Sequence, residues 1–140
     1  MFYTGETRKA GDILAEQKKN ISSDDAKVQN LHKMVALTHN LKEELLRGNI
    51  DAMGEILHTG WMYKKELAGG MSSEHIDYYY NLGMKNGAEG GKLLGAGGGG
   101  FLLFYVREEN QARLRRSLSD LNELSFNFDN KGTTIIHYNH

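Results

Sequence analysis

The residues with the clearest chemical potential in this sequence are a run of glycines, which we call the glycine loop. Five glycines and one alanine occupy six consecutive positions: Gly95, Ala96, Gly97, Gly98, Gly99 and Gly100. Consecutive glycines lose much chain entropy on ordering and bury no side chain, so a folded domain keeps them where the backbone itself has a task. That task is a tight connection with positive φ angles or a close approach of backbone N–H groups to a ligand, usually an anion.

The two common phosphate-binding glycine motifs do not fit this loop. A P-loop requires a lysine directly after its last glycine, whereas Phe101 follows Gly100 here. Gly95, Gly97 and Gly100 match the dinucleotide pattern G-x-G-x-x-G, but that motif must open a helix, and residues 101–106 have the composition of a strand. The remaining alternatives are an anion-binding nest between two strands and a loop whose glycines merely permit close packing.

Side chains elsewhere in the sequence give weak signals for chemistry. There are no cysteines, so disulfides and thiolate metal sites are excluded. His32 and His39 are too far apart on one predicted helix to form an i, i+4 metal pair, and no carboxylate spacing supports a metal site. Trp61 could be a sugar-stacking platform, but it falls on an apolar helical stripe and is predicted to belong to the core.

Composition indicates a single cytoplasmic domain. The 140 residues carry a net charge of −1, with 39% hydrophobic and 25% charged residues, so neither a nucleic acid nor a membrane surface is an expected partner. No secretory signal and no apolar run long enough to span a membrane is present.

The hydrophobic spacing predicts an α+β fold in which most helices cover one face of a largely antiparallel sheet. Asp24 or Ser23 and Ser73 or Ser72 are the expected N-caps of two of the helices. The predicted elements are a strand at 1–5, helices near 7–20, 24–47, 50–67 and 73–86, a strand on each side of the glycine loop, a helix near 108–122, and a terminal hairpin of 124–128 and 133–138.

A resemblance to a known family becomes specific at the glycine loop. The stretch from Lys92 to Gly100 closely resembles the third conserved motif of the GHMP kinases, which include galactokinase, homoserine kinase, mevalonate kinase and phosphomevalonate kinase. The segments from Phe2 to Arg8 and from Phe126 to Tyr138, with the long helices between them, look like the C-terminal half of the heptose-phosphate kinase branch. The resemblance extends over essentially the whole chain.

The resemblance implies a GHMP kinase C-terminal, ferredoxin-like domain over residues 1–140 and an ATP-dependent transfer of phosphate to a sugar hydroxyl. In this superfamily the ATP phosphates lie on a proline-containing loop of the N-terminal half, and this chain has no proline. We therefore expect that nucleotide-binding half to be absent from the chain. ATP and Mg²⁺ would belong to the complete enzyme, and this chain alone would bind neither and be inactive.

By the same resemblance, the glycine loop would line the acceptor side of the cleft, near the γ-phosphate. Arg8 is a candidate for binding the substrate phosphate, with an ion pair to Asp12 as the alternative. Lys92 could face the cleft, although a solvated strand lysine is the preferred interpretation. No catalytic or metal-binding residue is assigned. The expected partners are an N-terminal kinase half, a sugar phosphate and another copy of the chain, and the competing hypothesis is a non-catalytic binding or oligomerisation module.

Overall fold

The computed structural model describes residues 1–129 and 131–134 and has the predicted α+β architecture. The described residues form four strands and five helices. They are β1 (Phe2–Tyr3), α1 (Ala10–Ile21), α2 (Asp25–Leu46), α3 (Ala52–Lys65), α4 (Glu74–Lys85), β2 (Ala88–Leu93), β3 (Phe101–Val106), α5 (Glu108–Ser117) and β4 (Asn122–Glu123). The expected caps are present, since the Asp24 side chain accepts from the Ala26 amide and Ser73 accepts from the Ile76 amide.

The four strands form one sheet in the order β2-β3-β1-β4, and every neighbouring pair is antiparallel. Phe2 and Leu93 both lie opposite Leu102, so these three side chains share one face of the sheet. Helices α4 and α5 cover this face, together with the Trp61 side chain from α3. Trp61 therefore belongs to the core, as the sequence predicted. The buried residues of the two adjoining clusters are Trp61, Ile76, Tyr80, Leu93 and Leu102, and Phe2, Ala88, Leu114 and Leu118.

Helix α3 lies along β2, an end strand of the sheet, at unusually close range. A Cβ added at Gly90 would overlap the carbonyl oxygen of Gly54, and one added at Gly54 would lie 2.7 Å from the Cβ of Glu89. Glycine is therefore required on both elements, because only backbone without side chains can approach so closely. This contact fixes α3 against the strand that leads into the glycine loop.

The chain after α5 differs from the prediction. Helix α5 ends at Ser117 rather than near residue 122, and the strand predicted over 124–128 is not formed. Instead β4 is a two-residue strand paired with β1, and the next residue, Leu124, already faces Met1. Residues 125–129 pair with no strand in the described part of the chain, although their apolar residues alternate. The second arm of the predicted hairpin falls largely on residues 135–138, outside the described residues.

A buried tyrosine gives the fold a predictable response to alkaline pH. The Tyr80 hydroxyl donates to the Gly91 carbonyl and accepts from His58 Nδ1 at 2.8 Å, and its burial raises the pKa of Tyr80 far above its usual value near 10. The unfolded chain releases this proton near pH 10 while the folded chain retains it, so stability should fall as pH rises above about 10. The free energy of unfolding measured between about pH 9 and 11 should fall less steeply in Tyr80→Phe than in the unsubstituted chain. Equal slopes would contradict this role of Tyr80.

Candidate functional site

The glycine loop connects β2 to β3, two neighbouring strands, as the sequence predicted. Its base is closed by the Leu94 amide, which donates to the Phe101 carbonyl at 2.8 Å. The φ angles of Gly95, Gly97, Gly98 and Gly100 are 96°, 119°, 72° and 115°. These values lie in a region that residues with a Cβ rarely adopt, so the path of the loop requires glycine at four positions.

The end of β1 holds the C-terminal end of the loop. The amide and the hydroxyl of Thr4 both donate to the Gly100 carbonyl at 2.9 Å, and the Gly100 amide donates to the Glu6 carbonyl at 3.0 Å. A Cβ added at Gly99 would lie 2.5 Å from the Glu6 carbonyl oxygen. The first residues of the chain and the glycine loop therefore form one closely packed unit.

The turn after α3 holds the middle of the loop. The Gly98 amide donates to the Met71 carbonyl at 3.0 Å, and a Cβ at Gly97 would lie 2.7 Å from the Met71 sulfur. Close packing, one of the two alternatives left open by the sequence, is thus part of the explanation for the glycines.

Several loop amides nevertheless remain free for another acceptor. Within the part of the chain that the structure describes, no acceptor receives a hydrogen bond from the amides of Gly95, Ala96, Gly97 and Gly99. Gly95 is exposed, and a Cβ added there would meet nothing within 4 Å. The loop can therefore offer backbone N–H groups to an anion while its other amides hold it to the domain.

Arg8 lies against the glycine loop. Its side chain is exposed, and its Cδ lies 2.8 Å from the position that a Cβ would take at Gly98. Between residues 1 and 129, no ion pair joins Arg8 to Asp12, so the alternative considered for Arg8 is not formed. The fold brings together the two parts of the sequence, Arg8 and the glycine loop, that were singled out for binding phosphate.

The N-terminus of α4 fixes the segment that carries Arg8. Ser73 Oγ donates to Glu6 Oε2 at 2.7 Å, and His75 Nε2 donates to the Thr4 carbonyl at 2.9 Å. The sequence predicted Ser73 as a helix cap but not its hydrogen bond to Glu6. It gave no indication of the roles of Glu6 and His75. No local pattern indicates these contacts, since they join residues 67 and 71 positions apart.

Two lysines lie at the other end of the loop. Lys64, in the last turn of α3, donates through Nζ to the Gly95 carbonyl. Its pKa is lowered by burial and by the nearby Lys92 ammonium. Lys92 is half-buried on β2 rather than fully solvated. Sequence reasoning missed Lys64 altogether, because its position beside the loop depends on how α3 packs along β2.

The groups around the loop suit phosphate better than a metal ion. Arg8, Lys64 and the free amides are donors and cations, whereas the neighbouring carboxylate of Glu6 already accepts from Ser73. Among the described residues, no three or more His, Cys, Asp or Glu side chains are grouped so that they could hold a metal. The donors and cations around the loop therefore fit the phosphate of a substrate or nucleotide. No helix in the described part of the chain has the length and apolar character needed to span a bilayer.

Comparison with known proteins gives consistent matches. A family model described as "GHMP kinases C terminal" matches residues 41–124. The chain is 32% identical over 118 residues to the D-glycero-alpha-D-manno-heptose 7-phosphate kinase of Campylobacter jejuni, covering 84% of this chain and 34% of that protein. It is 27% identical over 122 residues to the bifunctional fucokinase/GDP-fucose pyrophosphorylase of Arabidopsis thaliana, covering 86% of this chain and 12% of that protein.

A solved structure has a similar fold. The mevalonate kinase of L. major, in complex with R-mevalonate, superposes with a TM-score of 0.74 at 16% identity, over 85% of this chain and 36% of that one. The likeness confirms the expected fold class. The chain spans about a third or less of the length of the relatives it matches.

Proposed function

This chain belongs to the family of GHMP kinase C-terminal domains, and from that premise we propose that it is the substrate-side domain of an ATP-dependent heptose-phosphate kinase. The observation that carries the proposal is the glycine loop, in which four amides donate to no acceptor of the described chain and beside which Arg8 lies at Gly98. The 32% identity to a heptose 7-phosphate kinase supports a sugar phosphate as the substrate.

Phosphoryl transfer depends on positioning and on stabilising negative charge, and the residues of this chain are suited to both. The Arg8 guanidinium can hold the phosphate of the sugar through two parallel hydrogen bonds. The amides of the glycine loop can orient the acceptor end of the substrate without changing their own positions, because Thr4 and Met71 hold the loop. ATP with Mg²⁺ would supply the transferred phosphoryl group from the nucleotide-binding half.

The proposed dependence on a nucleotide-binding half can be tested directly. Phosphorylation of D-glycero-D-manno-heptose 7-phosphate should be measured with this chain alone and with an N-terminal GHMP kinase half joined to it. We expect turnover only in the joined protein. Turnover by the chain alone would contradict its dependence on the other half. Phosphorylation of L-fucose or mevalonate, but not of the heptose phosphate, would contradict the proposed substrate while leaving the kinase role in place.

Arg8 has a specific expected effect in the joined protein. Arg8→Ala should raise KM for the sugar phosphate by about 10- to 100-fold, because a charge-assisted bond contributes roughly 1.5–3 kcal/mol, with kcat and KM for ATP little changed. Arg8→Lys should recover part of the loss, since lysine keeps the charge but not the two parallel donors. Lys9→Ala, at the neighbouring exposed position, is the control. An effect on KM for ATP instead would place Arg8 on the nucleotide.

One observation favours a second candidate, a binding or self-association module. Leu124, Phe126 and Phe128 follow β4 and have exposed fractions of 46%, 48% and 86%. Leu124 and Phe126 also line a cavity of about 260 Å³. Exposed apolar groups of this kind favour contact with another protein surface. Size-exclusion chromatography with light scattering should then show a dimer that Phe126→Ser with Phe128→Ser converts to monomer. A monomeric unsubstituted chain would count against the module.

A further inference from the structure

A second cationic position lies at the Gly95 end of the glycine loop, apart from Arg8 at Gly98. A mainly apolar cavity of about 160 Å³ lies between α2 and α3, and Lys64 joins it to the loop, since Lys64 lines the cavity and donates to the Gly95 carbonyl. The charged side chains in that lining are Lys64 and Lys92, and no carboxylate belongs to it. Both charges in this part of the surface are therefore positive.

Unlike the neighbouring Lys65, the two lysines have no ion-pair partner among the described residues. Lys65, the next residue in α3, forms an ion pair with Asp77 at 2.6 Å. Within the described residues, neither Lys64 nor Lys92 forms an ion pair, and the Lys92 ammonium, after burial, contributes to lowering the pKa of Lys64. Both side chains line the same cavity and are half-buried, so a bound anion would offset the repulsion between their charges.

The backbone beside the lysines adds donors to this position. Lys64 uses one of its three N–H groups on the Gly95 carbonyl, which leaves two for a ligand. The amides of Gly95, Ala96 and Gly97 donate to no acceptor in the described chain. An anion close to Gly95 could therefore receive hydrogen bonds from both side chain and backbone.

We propose that Lys64 and Lys92, with the amides at the Gly95 end of the glycine loop, form a second subsite that binds a phosphate group. The choice of phosphate over other anions rests on the proposed function, because both reactants of a sugar phosphate kinase carry phosphate. Lys64 also positions the loop through the Gly95 carbonyl, so an anion bound here would be coupled to the loop that faces the acceptor.

The test is an NMR titration of the 140-residue chain with inorganic phosphate at constant ionic strength. We expect the amide signals of Gly95, Ala96 and Gly97 to shift. Lys64→Met and Lys92→Met should each raise the dissociation constant by about tenfold or more, as expected for losing a charge-assisted hydrogen bond. Lys64→Arg should retain binding, since it keeps the charge. Lys42→Met, an exposed lysine of α2 outside the cavity lining, should leave the constant unchanged.

The proposal would be overturned by unchanged binding in both methionine variants, by equal weakening in Lys42→Met, or by shifts confined to the residues around Gly98. If Lys64→Met fails to fold, Lys92→Met decides the result. Competition with metal-free ATP and with glucose 6-phosphate identifies the source of the phosphate, because the reactant that belongs here should displace inorganic phosphate. Displacement by neither would overturn the subsite.

These measurements need no turnover, so they separate the two proposals. Lysine-dependent phosphate binding by a joined protein that phosphorylates no sugar would contradict the proposed function alone. A joined kinase whose KM values are unchanged by Lys64→Met and Lys92→Met would overturn the subsite alone.

Discussion

Replacing Gly99 with alanine is expected to lower kcat/KM of the joined kinase by about a hundredfold, the loss typical of displacing a positioning element by about 1 Å. The φ angle of Gly99 is not in the left-handed region, so alanine brings no intrinsic backbone strain there. Its Cβ would instead lie 2.5 Å from the carbonyl oxygen and 2.8 Å from the carbonyl carbon of Glu6. These are backbone atoms that cannot rotate away, so the loop and the segment that carries Arg8 must separate.

A matched glycine-to-alanine control is available in the turn after α3. Gly69→Ala adds a Cβ whose nearest neighbour, Glu16 Oε1, lies at an ordinary 3.6 Å, and Gly69 also has no positive φ. This variant should keep kcat/KM within about threefold of the unsubstituted protein, an effect on the scale of ordinary surface substitutions. If Gly99→Ala behaves like Gly69→Ala, the close contact with Glu6 does not position the site.

Replacing Gly90 with alanine is expected to cost about 3 kcal/mol of the free energy of unfolding, at the upper end of overpacking effects. The added Cβ would overlap the Gly54 carbonyl oxygen, so α3 must move away from β2. A typical domain has only about 5–15 kcal/mol of stability, so the loss would be a large fraction of the total. Urea unfolding monitored by Trp61 fluorescence measures it, since Trp61 is buried between α3 and the sheet.

Gly60→Ala tests whether the effect of Gly90→Ala comes from the close contact. Gly60 lies inside α3, and its added Cβ would meet Leu37 Cδ1 at 3.7 Å, ordinary van der Waals contact. Alanine favours the helix over glycine by up to about 1 kcal/mol, so this variant should be as stable as the unsubstituted chain or slightly more so. A loss below about 1 kcal/mol for Gly90→Ala would fall within ordinary substitution effects and contradict the contact as described.

Local sequence preferences predicted most of the helices and the connection at the loop. The apolar spacing of α2 and the caps at Asp24 and Ser73 each depend on residues a few positions apart, which a sequence displays directly. Phe101 to Val106 likewise indicated that a strand, not a helix, follows the glycines. The same strand excluded the helix-opening phosphate motifs.

The errors arose where distant contacts decide the structure. Leu124, Phe126 and Phe128 satisfy the alternation of a strand, yet among the described residues the pairing with β1 consists of Asn122 and Glu123, with one further hydrogen bond at Leu124. By contrast, the strand predicted before the glycine loop is formed, although Gly90 and Gly91 have low strand preference; they lie in β2, where α3 approaches the backbone closely.

Distant contacts also explain which residues of the candidate site were not predicted from the sequence. The bond from Lys64 to the Gly95 carbonyl joins residues 31 positions apart, and the bond from Ser73 to Glu6 joins residues 67 positions apart. Such pairs depend on how α3 and α4 pack, and no spacing in one sequence reveals them. The glycine loop and Arg8 were selected as candidates from the sequence, the loop by its run of glycines and Arg8 by its place after the end of β1, although the contact between them was not predictable.

The hydrogen bonds from Thr4 to Gly100 have a consequence for synthesis of the chain. They join residues 96 positions apart, so β1 cannot take its place until β3 has been made. At about 5–20 residues per second, the ribosome needs on the order of 5–20 s to add the intervening residues. Throughout that interval the segment with Arg8 has no glycine loop to contact, whereas α2 and α3 can already pair. The helical layer can thus fold early, and the contact between the Arg8 segment and the glycine loop is assembled late in translation.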